Sequence, residues 1–153
     1  MVAQDLARVY RANSILTASP GQLVLLLFDG ALNSLAIARE AFGRPPEDLR
    51  RFEIINKHVR KAQRIIAELR GTLDFKAGGE FALVMNRLYE YYNRRLLEAN
   101  LRKQVEPLIE VEKLFGEVRD AWAEMLCKQG GATPATLDAD PAPASVEPAA
   151  LSR

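Results

Sequence analysis

The sequence has very few of the residues that most catalytic and metal-binding sites require. It contains one cysteine, Cys127, and one histidine, His58, among 153 residues. A single cysteine allows no internal disulfide, suits a reducing cytosol and excludes a Cys-x-x-Cys-His haem site. His58 has Ile55 three residues earlier, where the Glu-x-x-His pair of a di-iron bundle needs a glutamate. We therefore expect no catalytic residue, no metal and no cofactor, and we interpret His58 as a packed or rim histidine.

The chain also lacks an excess of charge of either sign. It has 21 Lys and Arg against 20 Asp and Glu, whereas nucleic-acid surfaces normally need a strong basic excess. No charged-then-apolar signal stands at the N-terminus, and the apolar run at 23–28 is too short to span a bilayer. These absences predict a soluble protein of the cytosol that neither binds nucleic acid nor inserts into a membrane.

The stretch from Thr17 to Phe42 organises the rest of the chain. Ser19 can cap a helix, Pro20 suits its first position, and Gln22 completes a capping box. Apolar or small side chains then cover most of the helix circumference. The pattern predicts a central helix over about 20–42 that other elements cover on several sides.

Three further helices follow, because apolar side chains recur at spacings of three and four residues between clear breaks. They are predicted to cover about 47–74, 80–102 and 105–127. Four helices with short connections predict an all-α fold, an antiparallel up-down four-helix bundle over residues 17–128.

Both ends of the chain are predicted to lie outside this bundle. Residues 1–16 form a short N-terminal helical segment whose side chains Leu6, Val9 and Tyr10 dock on the bundle and can detach from it. Residues 129–153 are rich in Ala and Pro without periodicity, which predicts a disordered C-terminal tail.

The surface of the predicted bundle favours a binding function. The helices carry more apolar surface than four packed helices need, which indicates grooves that receive amphipathic helices or an extended segment of a partner. Eight Arg and Lys lie between Arg44 and Arg70 and interleave with four acidic residues, a pattern typical of a solvated face. Composition and spacing do not name the partner.

Several separated blocks of sequence carry a resemblance to a known family. They are Val9-Tyr10, Thr17–Leu23, Leu27–Ala31, Lys61–Ile66, Glu68-Leu69, Gly78-Gly79-Glu80 with Ala82, Leu88-Tyr89, Tyr91, Arg94–Leu96, Glu98–Asn100, Glu110-Val111 and Arg119–Trp122. In this order and spacing the chain resembles, over about residues 9–126, the FliS family of flagellar export chaperones, which bind flagellin. Glu90 and Tyr92 stand where that family commonly has Asp and Met, and Lys103-Gln104 replaces a usual Asn-Asp.

The resemblance implies a passive chaperone. It would hold the C-terminal segment of flagellin on the bundle surface, prevent premature polymerisation and keep the subunit competent for type III flagellar secretion, without nucleotide or metal. The flagellar export gate and other flagellar regulators are implied as further partners. Whether the free protein forms a homodimer stays open.

The candidate site lies on the flanks of helices two, three and one rather than on the charged face of helix four. The predicted flagellin-binding groove comprises Phe28, Ala62, Gln63, Ile66, Tyr89, Tyr92 and Leu96. Some of these residues are expected to be core residues, since one apolar stripe can both pack in the core and line the groove. The N-terminal docking segment with Leu6, Val9 and Tyr10 is expected to yield a groove to flagellin.

Two readings from other classes stay open on the sequence alone. One is a helical-bundle enzyme or cofactor carrier, which a bound chromophore or metal in the purified protein would favour. The other is a purely self-associating structural bundle, which light scattering with and without flagellin would distinguish from a chaperone.

Overall fold

The computed structural model describes residues 19–130. The docking segment with Leu6, Val9 and Tyr10, and the tail from residue 131 onward, lie outside the described residues. The described part of the chain consists of four α-helices and contains no strand, which confirms the all-α prediction. The helices are α1 (Pro20–Phe42), α2 (Arg51–Gly71), α3 (Phe75–Arg102) and α4 (Glu106–Gly130).

The four helices form a closed ring in which each packs against two neighbours: α1 on α2, α2 on α3, α3 on α4, and α4 on α1. Contacts across the seams run in opposite sequence directions. Gln63 of α2 bonds Asn93 of α3, while the earlier Asn56 bonds the later Asn100. This is the antiparallel up-down order that short connections impose.

The start of α1 follows the sequence signals closely. The Ser19 hydroxyl accepts a hydrogen bond from the Gln22 backbone N–H at 3.2 Å, and the Gln22 side chain accepts one from the Ser19 N–H at 3.2 Å. Pro20 occupies the first turn, and the helix ends at Phe42 before Gly43. The predicted range of 20–42 is the observed one because every signal here is local.

The other three helices differ from their predicted ranges at one or both ends. Helix α2 begins at Arg51, since residues after Pro45 form turns in which the Asp48 N–H bonds the Pro45 carbonyl at 2.9 Å. Helix α3 begins at Phe75, where the Asp74 carboxylate caps two N–H groups, and kinks at Gly79 just before the predicted start at 80. Helix α4 continues to Gly130 rather than ending near 127.

The core is built from one stripe of each helix, and three aromatic rings lie at its centre. The ring centroids of Phe28 and Phe115 are 4.8 Å apart, and those of Tyr92 and Phe115 are 5.6 Å apart. Offset and edge-to-face pairs at such distances add to the stabilisation from burial. These rings join α1, α3 and α4 in one apolar cluster.

Helix α1 is not a central helix, because its close neighbours are α2 and α4 alone. By length and composition it could cross a membrane, a test that core helices of soluble proteins also pass. Its buried residues, including Phe28 and Leu35, pack in the bundle core. The apolar side chains toward its N-terminal end are not all covered: Leu23 and Leu26 are 37% and 38% exposed.

Candidate functional site

An apolar groove of about 940 Å³ opens at the end of the bundle where α1 begins and α4 ends. Its lining is almost entirely apolar. Helices α1, α3 and α4 and the α2–α3 connection contribute to it, whereas α2 itself does not. The lining residues are Pro20, Leu23, Val24, Leu26, Leu27 and Phe28 of α1, Thr72, Leu73 and Asp74 of the α2–α3 connection, Ala77, Gly78, Phe81, Ala82, Met85 and Tyr89 of α3, and Val118, Ala121, Trp122 and Met125 of α4.

The start of α3 shapes one wall of this apolar groove. Gly79 has a φ of 54° and a ψ of −128°, a backbone conformation that side-chain-bearing residues rarely adopt. The kink redirects the chain so that the turn before it and the helix after it both face the groove. Phe81, in the turn that follows, is 59% exposed.

A close approach of α1 and α4 sets the opposite side. A Cβ on Gly21 would lie 2.6 Å from the Cδ2 atom of Leu126, so only glycine fits here without movement. The indole Nε1 of Trp122 donates a hydrogen bond to the Gly21 carbonyl at 3.0 Å. The polar edge of Trp122 is therefore satisfied within the bundle while its ring contributes to the groove lining.

The groove exposes apolar area that no described element covers. Leu23 and Leu26 line it at over a third exposed, and Phe81 lines it at more than half. Phe28 and Tyr89, which are 1% and 4% exposed, form its floor. Burial raises the pKa of the Tyr89 phenol to about 12. A tyrosine with this pKa stays neutral near pH 7, so the floor carries no charge.

The sequence-predicted groove residues divide between the groove, the core and a seam. Phe28 and Tyr89 line the apolar groove. The other apolar members are core residues at 0–1% exposure: Ala62, Ile66, Tyr92 and Leu96. Gln63 lies between α2 and α3, where its Nε2 donates to the Asn93 carbonyl at 3.1 Å. The structure therefore does not bring these seven residues together on one surface.

Sequence reasoning missed most of the groove lining. Phe81 and Met85 belong to the predicted core stripe of α3, and Trp122 and Met125 to that of α4. Each stripe continues beyond the level that a neighbouring helix covers. The one available signal was the apolar surplus in the first turns of α1, where Leu23 and Leu26 lie.

The α2–α3 seam is held by polar contacts spaced seven residues apart. The Asn100 Nδ2 atom donates to the Asn56 Oδ1 atom at 2.9 Å, and Gln63 pairs with Asn93. Seven residues further, the Arg70 Nε atom donates to the Oδ1 atom of Asn86 at 2.6 Å. Seven residues are nearly two helical turns, so all three contacts lie along one line and fix the register of the two helices.

Three charged side chains of α4 join it to its neighbours. Glu110 accepts hydrogen bonds from the Tyr91 hydroxyl at 2.6 Å and from the Arg95 Nε atom at 2.7 Å, and these bonds lower the pKa of its carboxyl. Arg119 pairs with Asp29, and Arg39 with Glu112, across the α1–α4 seam. Within residues 19–130, no three His, Cys, Asp or Glu residues are grouped so as to hold a metal ion.

Comparison with known proteins places the chain in one family. Residues 2–129 match the family described as Flagellar protein FliS. The chain is 36% identical over 126 residues to the flagellar secretion chaperone FliS of Bacillus subtilis (strain 168). The aligned region covers 82% of this chain and 90% of that protein. It is 36% identical over 119 residues to the flagellar secretion chaperone FliS of Salmonella typhimurium, an alignment that covers 78% of this chain and 85% of that protein. It is 42% identical over 105 residues to the flagellar secretion chaperone FliSB of Pseudomonas aeruginosa, which covers 69% of this chain and 79% of that protein.

These relatives are secretion chaperones, so the family confirms the expectation that the protein is not an enzyme. An open apolar groove on a rigid helical bundle is also a surface on which a chaperone can hold an export substrate. By its sequence, and in agreement with its all-α fold, the chain belongs to the FliS family of flagellar secretion chaperones.

Proposed function

We propose that the protein binds the C-terminal segment of flagellin in the cytosol, prevents its premature polymerisation and keeps it competent for type III flagellar secretion. The observation that carries the proposal is the apolar groove of about 940 Å³ at one end of the bundle. Large exposed apolar patches on soluble proteins mark interaction sites. Flagellin as the occupant is supported by the resemblance of the sequence to chaperones that bind it.

The groove suits an amphipathic segment better than a compact domain. Its floor is uncharged around Phe28 and Tyr89, and its sides offer Leu26, Phe81 and Met125 to successive apolar residues of a partner. Each large apolar side chain that becomes fully buried contributes about 1.5–3 kcal/mol. Association and ordering of a segment cost on the order of 4–15 kcal/mol, so several such side chains must engage together.

We further propose that the N-terminal docking segment occupies this groove in the free protein. Pro20, the first residue of α1, lines the groove, so the docking segment is joined to the described part of the chain beside the groove. Burial of Leu6, Val9 and Tyr10 contributes about 1.5–3 kcal/mol for each side chain, which backbone ordering of about 1–2 kcal/mol per residue nearly cancels. A segment held so weakly yields to a partner that buries more area.

Hydrogen exchange tests this displacement. Residues 4–12 should be weakly protected in the free protein and less protected once the flagellin segment is bound. Stronger protection of the same residues in the complex would show that the segment clamps the partner instead.

The binding site itself is tested by calorimetric titration with the C-terminal segment of the host flagellin. The Leu26→Glu and Phe81→Glu variants place a charge on exposed positions of the groove, so the fold should persist while affinity falls by at least about tenfold. Ile109→Glu is the matched control, since Ile109 is 46% exposed and lies outside the groove lining. Wild-type affinity in both groove variants would exclude the groove as the flagellin site.

Further partners follow from the same proposal. A loaded chaperone has to meet the flagellar export gate, and other flagellar regulators can compete for the same surface. The alternative occupant of the apolar groove is a second copy of the chain in a homodimer. Sedimentation of the free protein distinguishes this dimer from a monomer. A dimer that dissociates when the flagellin segment is added would show that both partners use the groove.

A further inference from the structure

Four basic side chains form a ridge on the solvent side of α2: Lys57, Arg60, Lys61 and Arg64, all of them exposed. At 100° per residue they fall within an arc of about 100° on one helix face. They occupy two turns, or roughly 10 Å of helix length. We call these four residues the basic ridge. It lies away from the apolar groove, whose lining includes no residue of it.

The basic ridge is not neutralised by the described part of the chain. None of its four cations forms an ion pair with another residue between 19 and 130. Four arginines elsewhere each pair with a carboxylate on a neighbouring helix. These pairs are Arg39–Glu112, Arg70–Glu90, Arg95–Glu110 and Arg119–Asp29. Other exposed cations of the described residues, such as Lys76, Arg87 and Lys113, also lack an ion pair, so the distinction of the basic ridge is that four such cations share one helix face.

The four cations of the basic ridge lie close enough together to repel one another. Lys57 and Lys61 are four residues apart, as are Arg60 and Arg64, and like charges at this spacing destabilise a helix. The pKa of His58 is lowered by burial and, in addition, by the charges of Lys57 and Lys61. Glu53, four residues before Lys57, and Glu68, four residues after Arg64, lie on the same face and offset only part of this charge, and the remaining positive charge favours a negative partner.

The charge of the bundle is also divided between opposite sides. Helix α2 carries six Lys and Arg against two acidic residues, whereas α4 carries six acidic residues against three basic ones. The two helices lie diagonally across the ring, since each packs on α1 and α3. A net charge of +1 for the whole chain therefore conceals one strongly basic face.

Two exposed leucines of α3, Leu97 and Leu101, lie beside the basic ridge and are 48% and 74% exposed. Leu83 is 50% exposed on the same face, but the exposed residues Arg87, Glu90 and Arg94 lie between it and Leu97. The α2–α3 seam pairs position 56 with 100 and 63 with 93, so Arg60 is about level with Leu97. The basic ridge and this pair of leucines thus lie on opposite sides of the same seam.

We propose that this surface docks an amphipathic helix of a protein partner, with apolar residues on the α3 leucines and a row of acidic residues against the basic ridge. Acidic side chains at i, i+3, i+4 and i+7 of such a helix match the spacing of Lys57, Arg60, Lys61 and Arg64. The surface is separate from the apolar groove, so the docking partner need not displace the cargo.

A helical partner fits the pattern better than a nucleic acid or a membrane. Leu97 and Leu101 are about one helical turn apart and form a narrow apolar strip rather than a broad patch. A bilayer surface would engage a wide apolar face with aromatic side chains. A duplex would use cations alone and leave the leucines exposed.

The test uses two synthetic 21-residue helical peptides with leucines at i, i+4, i+7 and i+11. One carries glutamates along the flank of the leucine stripe, and the other carries lysines at the same positions. Fluorescence anisotropy at low salt with the full-length protein should show binding of the glutamate peptide at least about tenfold tighter than the lysine peptide. The affinity should fall as salt is raised.

Variants make the assignment specific. The double variant K57E/K61E should invert the preference between the two peptides, whereas K76E/K113E, with the same change of net charge elsewhere on the bundle, should leave it unchanged. Should K57E/K61E fail to fold by circular dichroism, R60Q/R64Q is used, and it should remove most of the preference. Equal binding of both peptides, or equal losses in the control variant, would overturn the proposal.

Two further arms separate the alternatives. Prior saturation with the flagellin segment should leave the affinity for the glutamate peptide within about twofold, and displacement would place the peptide in the apolar groove and overturn the proposal. A 20-base-pair duplex, or vesicles with a quarter of anionic phospholipid, should bind more weakly than the glutamate peptide. If either probe binds more tightly than the glutamate peptide and K57E/K61E abolishes that binding, the partner is a nucleic acid or a membrane, and the proposal of a protein partner is overturned.

Discussion

Two glycines determine where α3 kinks and how closely α1 approaches α4. Gly79 lets α3 kink beside the apolar groove, and Gly21 lets α1 approach Leu126 of α4. Each acts through the absence of a side chain, which is a property that composition alone does not reveal. Substitutions at such positions therefore separate backbone effects from lost contacts.

Replacing Gly79 with Ala should destabilise the protein by about 1–3 kcal/mol. No atom lies within 4 Å of the added Cβ, so the whole effect comes from the positive φ of 54°. Gly71→Ala is the matched control, because its added Cβ also meets nothing within 4 Å and its φ is not in the left-handed region. Urea unfolding measures both. Equal effects would show that α3 adjusts freely at Gly79.

His58 should make stability depend on pH. Burial, helped by Lys57 and Lys61, lowers its pKa in the folded protein below the ordinary 6.5. Between the lowered pKa and about 6.5 the unfolded chain binds more protons, so the free energy of unfolding rises with pH across this window and levels off above it. His58→Gln should reduce the slope in urea unfolding series. An unchanged slope would assign the dependence to other groups.

At the scale of whole helices, the sequence predicts what local chemistry determines. The capping box at Ser19 and Gln22 identifies the start of α1 because both partners lie in the same turn. Helix α2 begins later than predicted, because the turns after Pro45 are held by backbone hydrogen bonds that the apolar periodicity does not reveal. The division between core and groove could not be predicted, since it depends on how far a neighbouring helix reaches beside Phe81 or Trp122.

Removing the most buried contact of the α2–α3 seam should weaken the association of these helices. Asn100 is 8% exposed and bonds both Asn56 and Lys103, so Asn100→Ala removes two side-chain hydrogen bonds at a buried position. A loss of about 1–3 kcal/mol in urea unfolding is expected. The exposed Asn33 of α1 provides the control, and Asn33→Ala should change stability by less than about 0.5 kcal/mol. Equal losses in both variants would contradict a role of the seam.

At the scale of the molecule, the bundle carries two surfaces with different chemistry. The apolar groove at one end is suited to cargo, and the basic ridge with the α3 leucines is suited to a charged helical partner. The chain that carries both surfaces belongs to a family of flagellar secretion chaperones. A chaperone with separate surfaces can hold its substrate and engage a second protein at the same time.

The terminal tail should be dispensable for both tasks. Residues 131–153 are rich in Ala and Pro and show no apolar stripe. A chain that ends at Gly130 should keep its melting temperature and its affinity for the flagellin segment. A loss of more than about 1 kcal/mol in either quantity would mean that the tail contributes contacts.

The most direct test of the central claim uses Trp122, the one tryptophan of the chain, whose ring lines the apolar groove. A tryptophan-free C-terminal segment of flagellin is titrated into the protein while the emission of Trp122 is recorded. The account predicts a saturable blue shift at a stoichiometry of one to one, because the segment excludes water from the ring, and loss of that shift at the same concentrations in Leu26→Glu. Calorimetric binding of the segment with unchanged Trp122 emission would contradict the account.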